Sequence, residues 1–121
     1  MKKILVIDDN EKNRKLINVI LVKSGFQVIE AENGEEGINI AKSERPDLIL
    51  MDIQMPMMNG INASQILKSN LLTEHIPVIA LTSLAMKGDR ERIILEAGCD
   101  GYISKPIDIK EFLNEVNKFI V

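Results

Sequence analysis

Three short runs of apolar residues constrain the fold of this chain more than any other feature of its sequence. They read ILVI (4–7), LILM (48–51) and VIAL (78–81), and none of them alternates with polar residues. A strand that is apolar along its whole length is covered on both faces, which is typical of a parallel sheet between two layers of helices. The sequence therefore predicts a doubly wound α/β fold.

Amphipathic segments between these runs predict five helices in strict alternation with five strands. The two further strands are QVIEA (27–31), whose polar side suits a sheet edge, and GYIS (101–104). The first helix is expected over 11–24 and the fourth over 87–96. The apolar residues Leu16, Ile17, Ile20 and Leu21 are predicted to share one face of the first helix. Ala63, Ile66 and Leu67 indicate the third helix.

Length and charge limit the class of protein. The chain has 121 residues and no linker long enough to divide it, so we expect one domain over 1–121. The net charge is −3 and no block of Lys and Arg occurs, which argues against nucleic acid as a direct partner. No signal peptide or membrane-length apolar run is present, and the single cysteine forms no internal disulfide; we expect a cytoplasmic protein without a membrane partner.

Polar residues follow four of the five predicted strands. In an open parallel sheet, binding sites form beyond the carboxyl ends of the strands. The residues at these ends are Asp8 and Asp9, Asp52, Thr82 with Ser83, and Lys105. A lone Asp at such a place is usually a turn former or a helix cap. Because four strands end in this way, the pattern favours a functional site instead.

The predicted site brings carboxylates together, which requires a compensating charge. Two unit charges about 4 Å apart repel by about 4 kcal/mol at an effective dielectric of 20, so protons or a cation must relieve the repulsion. Oxygen ligands without His or Cys suit Mg²⁺, Mn²⁺ or Ca²⁺, and a half-hydrated Mg²⁺ fits this small set better than a caged Ca²⁺. Lys105 and Thr82 would bind phosphoryl oxygens, and Asp52, at the centre, is the candidate nucleophile.

Four motifs resemble the receiver domain of two-component response regulators, the CheY-like superfamily. They are DD (8–9), MDIQMPMMNG (51–60), ALTS (80–83) and YISKP (102–106), and the resemblance covers the whole chain. The segment 85–107 is similar to single-domain regulators of the DivK type and to receivers attached to hybrid kinases. The resemblance implies five parallel strands in the order 2-1-3-4-5 with five helices.

The resemblance also implies a function and a metal site. The domain would be a phosphorylation-dependent switch in which Asp52 accepts a phosphoryl group from a phosphohistidine of a sensor histidine kinase or a histidine phosphotransfer protein. Mg²⁺, or alternatively Mn²⁺, would be bound by Asp9, Asp52 and the backbone carbonyl of Gln54. Asp8 would reach the ion mostly through water. The domain would not be an enzyme beyond catalysing its own phosphorylation and dephosphorylation.

Further roles follow from the same resemblance. Lys105 would pair with the phosphoryl group, and Pro106 would follow a cis peptide bond. Thr82 would move towards the phosphoryl group together with Tyr102. This would change a protein-binding surface on the fourth helix, fifth strand and fifth helix of a monomer. Asn59 stands where the family often has Asp, and we expect only a loop effect there.

Other functions remain open on the sequence alone. A phosphatase or phosphotransferase on the same acidic edge would need a general acid, and no candidate lies two residues beyond a nucleophilic Asp at the first strand. A nucleotide or flavin binder is disfavoured, because the loop after the first strand lacks phosphate-cradling glycines. A scaffold without phosphorylation is disfavoured because all five site residues are present.

Overall fold

The computed structural model describes residues 1–54, 59–83 and 89–120 of the chain. Within these residues the chain forms five strands and five helices in alternation. The strands are β1 (Lys3–Ile7), β2 (Gln27–Ala31), β3 (Leu48–Asp52), β4 (Val78–Thr82) and β5 (Gly101–Ser104). The helices are α1 (Glu11–Lys23), α2 (Gly34–Glu44), α3 (Gly60–Ser69), α4 (Asp89–Ala97) and α5 (Ile109–Ile120). The first two residues of the fourth predicted helix, 87 and 88, lie outside the described residues.

The strands form one parallel sheet in the order β2-β1-β3-β4-β5. The prediction of a doubly wound sheet in this order is therefore confirmed. Strands β1, β3 and β4 are the three apolar runs, and they occupy the interior of the sheet with β2 and β5 at its edges. This placement explains their composition, because interior strands of such a sheet have helices on both faces.

Alternate residues of each interior strand pack on opposite helical layers. On one face, Leu5, Ile49 and Val78 lie in a core cluster with apolar residues of α2, α3 and α4. On the other face, Val6 and Leu50 lie in a cluster with apolar residues of α1 and α5. The clean division follows from the two-residue period of a strand. It leaves the carboxyl ends of the strands as the place where polar groups gather.

The prediction that Leu16 shares one face of the first helix with Ile17, Ile20 and Leu21 is wrong, and Ile66, one of the residues that indicated the third helix, is also partly exposed. Leu16 is 49% exposed and Ile66 is 41% exposed. In α1 the buried face also includes Arg14, which together with Ile17 and Leu21 turns the buried stripe away from Leu16. In α3 the buried residues are small or lie on the neighbouring stripe: Gly60, Ala63, Ser64 and Leu67.

Helix termini agree with the capping chemistry of their residues. Asn10, Asn33 and Asn59 each accept a hydrogen bond at their side chains from a backbone N–H of the following helix. Because Asn59 caps α3, an Asp at this position would serve the same purpose. Among the residues that the structure describes, no helix is long and apolar enough to cross a membrane.

Arg45, the C-cap of α2, has a left-handed backbone with φ 45° and ψ 64°. A side chain costs about 1 kcal/mol in this conformation, and glycine avoids that cost. We expect Arg45→Gly to raise the free energy of unfolding by about 0.5 kcal/mol, measured by urea denaturation. The control, Ser43→Gly two residues earlier within the helix, should lower it by about 0.5 kcal/mol. A loss of stability in Arg45→Gly would contradict the expectation.

Candidate functional site

The carboxyl ends of four strands meet at one edge of the sheet. Ile7 at the end of β1 pairs with Met51 of β3, so Asp8 and Asp52 follow side by side. On the far side of β3, Asp52 pairs with Leu81, and Thr82 of β4 pairs with Ser104 of β5. The parallel register therefore collects residues from distant parts of the chain into one site.

Asp8, Asp9 and Asp52 form an acidic cluster at this edge. One carboxylate oxygen of each lies within 4.8 Å of the others. Asp8 is fully buried, Asp52 is 3% exposed, and Asp9 is open to solvent. A turn-forming Asp would lie on the surface, so burial of two neighbouring carboxylates favours a functional site over a local capping role.

Backbone amides and one lysine hold the buried carboxylates. The amide of Asn10 donates to Asp8 Oδ1 at 2.8 Å, and the amide of Gln54 donates to Asp52 Oδ1 at 3.0 Å. Lys105 Nζ lies 3.4 Å from Asp8 Oδ2 and 3.5 Å from Asp52 Oδ2. The ammonium group thus bridges the second oxygens of both carboxylates. The peptide bond that follows Lys105, to Pro106, is cis.

The pKa of Asp52 is shifted by burial and by the neighbouring charges of this cluster. Burial raises the pKa of Asp52 from its ordinary 3.8 to about 6, and the charge of Asp8 acts in the same direction. The hydrogen bond from the Gln54 amide and the charge of Lys105 oppose the rise. Positive charge from one lysine is therefore not enough to offset burial and repulsion, and the cluster still favours an added cation.

Gln54 joins the ends of β3 and β4. Its side-chain oxygen accepts hydrogen bonds from Ser83, at 2.6 Å from Oγ and 3.2 Å from the amide. The buried Thr82 hydroxyl approaches the same oxygen at 3.5 Å. The sequence places Ser83 at the end of its strand and Gln54 just after β3, but it does not predict the direct contact between their side chains.

The remaining predicted residues lie at different distances from the cluster. Tyr102 is half-buried on β5, packs against the core on the side of α2, α3 and α4, and lines a groove of about 370 Å³ with α5. It belongs to the sheet edge beside Thr82 rather than to the acidic cluster. Whether the backbone carbonyl of Gln54 binds an ion stays a prediction.

Two residues that support the site were missed from the sequence. Arg14 is buried, and its Nη1 donates to the backbone carbonyl of Asp8 at 2.8 Å. A spacing of three and seven residues from Ile17 and Leu21 could have placed it on the buried face. Gly60 lies against β3: a Cβ there would come within 2.7 Å of Ile53 Cα and closer still to the Asp52 carbonyl oxygen.

The donor set fits a hard divalent cation. Among the described residues that gather here, the ligand groups are carboxylates, and oxygen donors suit Mg²⁺. The exposed Asp9 leaves one side of the cluster open to water and to a further ligand. The geometry is thus suited to an ion that keeps open positions for phosphate oxygens.

Comparison with known proteins agrees with this geometry. The family model described as "Response regulator receiver domain" matches residues 4–117. This chain belongs to the receiver-domain family of response regulators. A receiver domain is a phosphorylation-dependent signalling switch of a two-component system, and receivers interact with histidine kinases and with downstream targets. The predicted family and its signalling function are therefore confirmed.

Individual relatives cover almost the whole receiver. The polar-differentiation response regulator DivK of Brucella anthropi is 44% identical over 119 residues, 98% of this chain and 96% of its own. The receiver domain of the Pseudomonas aeruginosa sensor histidine kinase PA1611, solved with magnesium in its active-site cleft, superposes with a TM-score of 0.90 at 32% identity, covering 98% of this chain and 97% of its own. Vibrio cholerae CheY4 shares the fold, with a TM-score of 0.92 at 24% identity and 99% coverage of both chains.

The raised pKa of Asp52 predicts how stability depends on pH without divalent metal. Because the folded-state pKa of about 6 lies above the unfolded 3.8, the folded receiver keeps a proton that the unfolded chain releases. The contribution of Asp52 to the free energy of unfolding should therefore fall by about 3 kcal/mol as pH rises from below 3.8 to above about 6. Asp52→Asn should lack this fall and be more stable at pH 7, measured by urea denaturation in EDTA.

Added Mg²⁺ provides the control for this prediction. An ion beside the carboxylates lowers the cost of ionising Asp52, so the advantage of Asp52→Asn at pH 7 should shrink when Mg²⁺ replaces EDTA. Parallel pH profiles of the wild type and Asp52→Asn in EDTA would refute the assignment of the raised pKa to Asp52.

Proposed function

We propose that Asp52 is the phosphoacceptor of this receiver and takes its phosphoryl group from a phosphohistidine on a kinase or phosphotransfer protein. The observation that carries this proposal is the burial of Asp52 between Asp8 and Lys105, with Asp9 open beside them. Among the described carboxylates of the cluster, Asp52 stands on the central strand of the sheet. At this position Asp52 has the carboxylates of Asp8 and Asp9 beside it to hold the metal, and the Lys105 ammonium lies close enough to contact the phosphoryl group.

The proposed metal ligands are Asp9 and Asp52 directly, with the Gln54 carbonyl, and Asp8 mostly through water. The exposure of Asp9 supports direct binding. Asp8 is fully buried, its Oδ1 accepts a hydrogen bond from the Asn10 amide, and its Oδ2 lies 3.4 Å from Lys105 Nζ, which supports an indirect role. When bound, Mg²⁺, or Mn²⁺ in its place, would neutralise charge that develops on the phosphoryl oxygens.

In the proposed transfer, the phosphoryl group passes from the donor histidine to Asp52. A carboxylate oxygen of Asp52 attacks phosphorus, the bond from phosphorus to the donor imidazole nitrogen breaks, and the leaving nitrogen keeps the electron pair. Lys105 Nζ, 3.5 Å from Asp52 Oδ2, moves its contact to a phosphoryl oxygen. Water later hydrolyses the acyl phosphate, which releases inorganic phosphate and restores the Asp52 carboxylate. On this proposal the receiver catalyses only its own phosphorylation and dephosphorylation.

The proposed switch connects Thr82 to Tyr102. The Thr82 hydroxyl lies 3.5 Å from the Gln54 side-chain oxygen. A charged phosphoryl oxygen would accept a stronger hydrogen bond than this neutral amide oxygen does. Tyr102 is half-buried and lines the groove beside β5 and α5. On this proposal it would change position together with Thr82. The protein-binding surface that responds would be formed by α4, β5 and α5.

The phosphoacceptor proposal is tested by intact-mass spectrometry. The wild type incubated with acetyl phosphate and Mg²⁺ should gain the mass of one phosphoryl group, while EDTA should prevent the gain. Asp52→Asn should abolish it, because the amide is not a nucleophile for this transfer. Asp9→Asn provides a matched carboxylate control that should slow the gain without removing the acceptor. An unmodified wild type, or a phosphorylated Asp52→Asn, would refute the proposal.

We also propose that the phosphodonor protein docks on α1. Its outward face carries three aliphatic residues that are each about half exposed: Leu16, Val19 and Val22. The same face carries exposed lysines at positions 12 and 23, and α1 begins two residues after Asp9. An apolar stripe beside the acceptor, flanked by positive charge, suits a helix with apolar and acidic residues.

The docking proposal predicts a selective defect. Leu16→Ser combined with Val19→Ser should slow phosphoryl transfer from a phosphohistidine protein that phosphorylates the wild type by about tenfold, because buried contacts of an interface are lost. Phosphorylation by acetyl phosphate should be unchanged. The control, Leu95→Ser, alters a residue on α4 that is 82% exposed and should affect neither rate. Equal transfer rates in the double variant and the wild type would refute α1 as the docking face.

The remaining expectations complete the proposal. The receiver would act over residues 1–121 as one cytoplasmic domain and as a monomer. Its net charge of −3, without a basic block, supports protein partners rather than nucleic acid or a membrane surface.

A further inference from the structure

Arg14 supplies a hydrogen bond that the sheet itself does not provide. Strand β1 ends at Ile7, and the Asp8 amide makes a last bond to Ala31 at the end of β2, at 3.1 Å. The Asp8 carbonyl lies beyond this ladder in buried surroundings. A buried carbonyl requires a donor, and Arg14 Nη1 provides one at 2.8 Å.

Neighbouring side chains fix the guanidinium of Arg14. Its Nε donates to Glu30 Oε1 on β2 at 3.2 Å. Glu30 also accepts from Lys15 at 3.1 Å and from Asn18 at 3.0 Å. Burial raises the pKa of Glu30, but the hydrogen bonds from Lys15 and Arg14 outweigh it and leave that pKa below its usual value. Glu30 therefore stays ionised and holds Arg14 against α1 and β2.

The Arg14 bond fixes one of the two peptide planes that meet at Asp9. The Asp8 carbonyl belongs to the rigid peptide plane that contains the amide nitrogen and Cα of Asp9. The next plane contains the amide of Asn10, which donates to the Asp8 carboxylate at 2.8 Å. With both planes held, the direction of the Asp9 side chain from its Cα is set by the fold.

We propose that Arg14 is a positioning residue for the metal-binding corner: it fixes the Asp8–Asp9 peptide and so aims the Asp9 carboxylate at the cation beside Asp52. This inference rests on the proposed metal site. Partners behind metal ligands typically change metal affinity by about tenfold or more when they are removed. Arg14 acts through Asp9 and does not itself contact the ion.

Lys68 offers a matched control at the opposite end of the sheet. Its Nζ also donates to a backbone carbonyl, that of Ile76, at 2.8 Å and pairs with Asp100 at 2.7 Å. Both partners precede strands, so Lys68 lies at their amino ends and far from the acidic cluster. A purely structural role of Arg14 would make its removal equivalent to the removal of Lys68.

The test is the Mg²⁺ dissociation constant measured by isothermal titration calorimetry, with stability measured by urea denaturation. Arg14→Met should raise the dissociation constant by about tenfold. Arg14→Lys, which keeps one donor for the Asp8 carbonyl, should restore it to within about threefold of the wild type. Lys68→Met should lose stability while its Mg²⁺ affinity stays unchanged.

Mg²⁺ affinity within twofold of the wild type in a folded Arg14→Met would overturn the proposal and leave Arg14 a structural residue. If Arg14→Met does not fold, Glu30→Gln tests the same proposal, because it weakens the ion pair that holds the Arg14 guanidinium and leaves Arg14 in place. That variant should raise the dissociation constant by about threefold, and an unchanged value would overturn the proposal. If the wild type itself binds no Mg²⁺, the proposed metal site is overturned as well. If the wild type binds Mg²⁺ and Arg14→Met binds it with the same dissociation constant, only the inference about Arg14 is overturned.

Discussion

The repulsion between the buried carboxylates of Asp8 and Asp52 is the interaction around which this receiver is built. Each follows or ends an interior strand, where the helical layers exclude water and the charges are poorly screened. Burial raises the pKa of Asp52 to about 6, because the ionised carboxylate is poorly solvated there and lies beside Asp8. The apolar core that makes the sheet stable is therefore also what makes the acidic edge responsive to an added cation or to a phosphoryl group.

The sequence predicts well which residues gather at the acidic edge, because the parallel direction of the strands determines it. Residues that follow parallel strands meet at one end of the sheet, whatever the details of packing. Once the apolar runs identify β1, β3 and β4, the places of Asp8, Asp52 and Thr82 follow. The strand order came from the resemblance to receivers, because apolar runs show that a strand is interior but not which strand is its neighbour.

Contacts between elements were harder to predict, since they depend on how far each helix is rotated. The aliphatic pattern places Leu16 on one face of α1 with Ile17, Ile20 and Leu21, because aliphatic residues usually form the core-facing side of a helix. Arg14 is buried instead, since the Asp8 carbonyl needs a donor and Glu30 compensates the charge. The contact of Gln54 with Ser83 likewise joins two strand ends, and local patterns carry no information about it.

Lys105 and Arg14 supply positive charge to the same corner in two different ways. Lys105 contacts carboxylate oxygens at 3.4 Å and 3.5 Å, and its flexible stem lets the ammonium move to a new anion. Arg14 binds a backbone carbonyl and a carboxylate at once, which suits a planar group with several fixed donors. A site that must change its charge without losing its shape needs both: a mobile cation among the reacting oxygens, and a fixed cation behind the backbone that carries them.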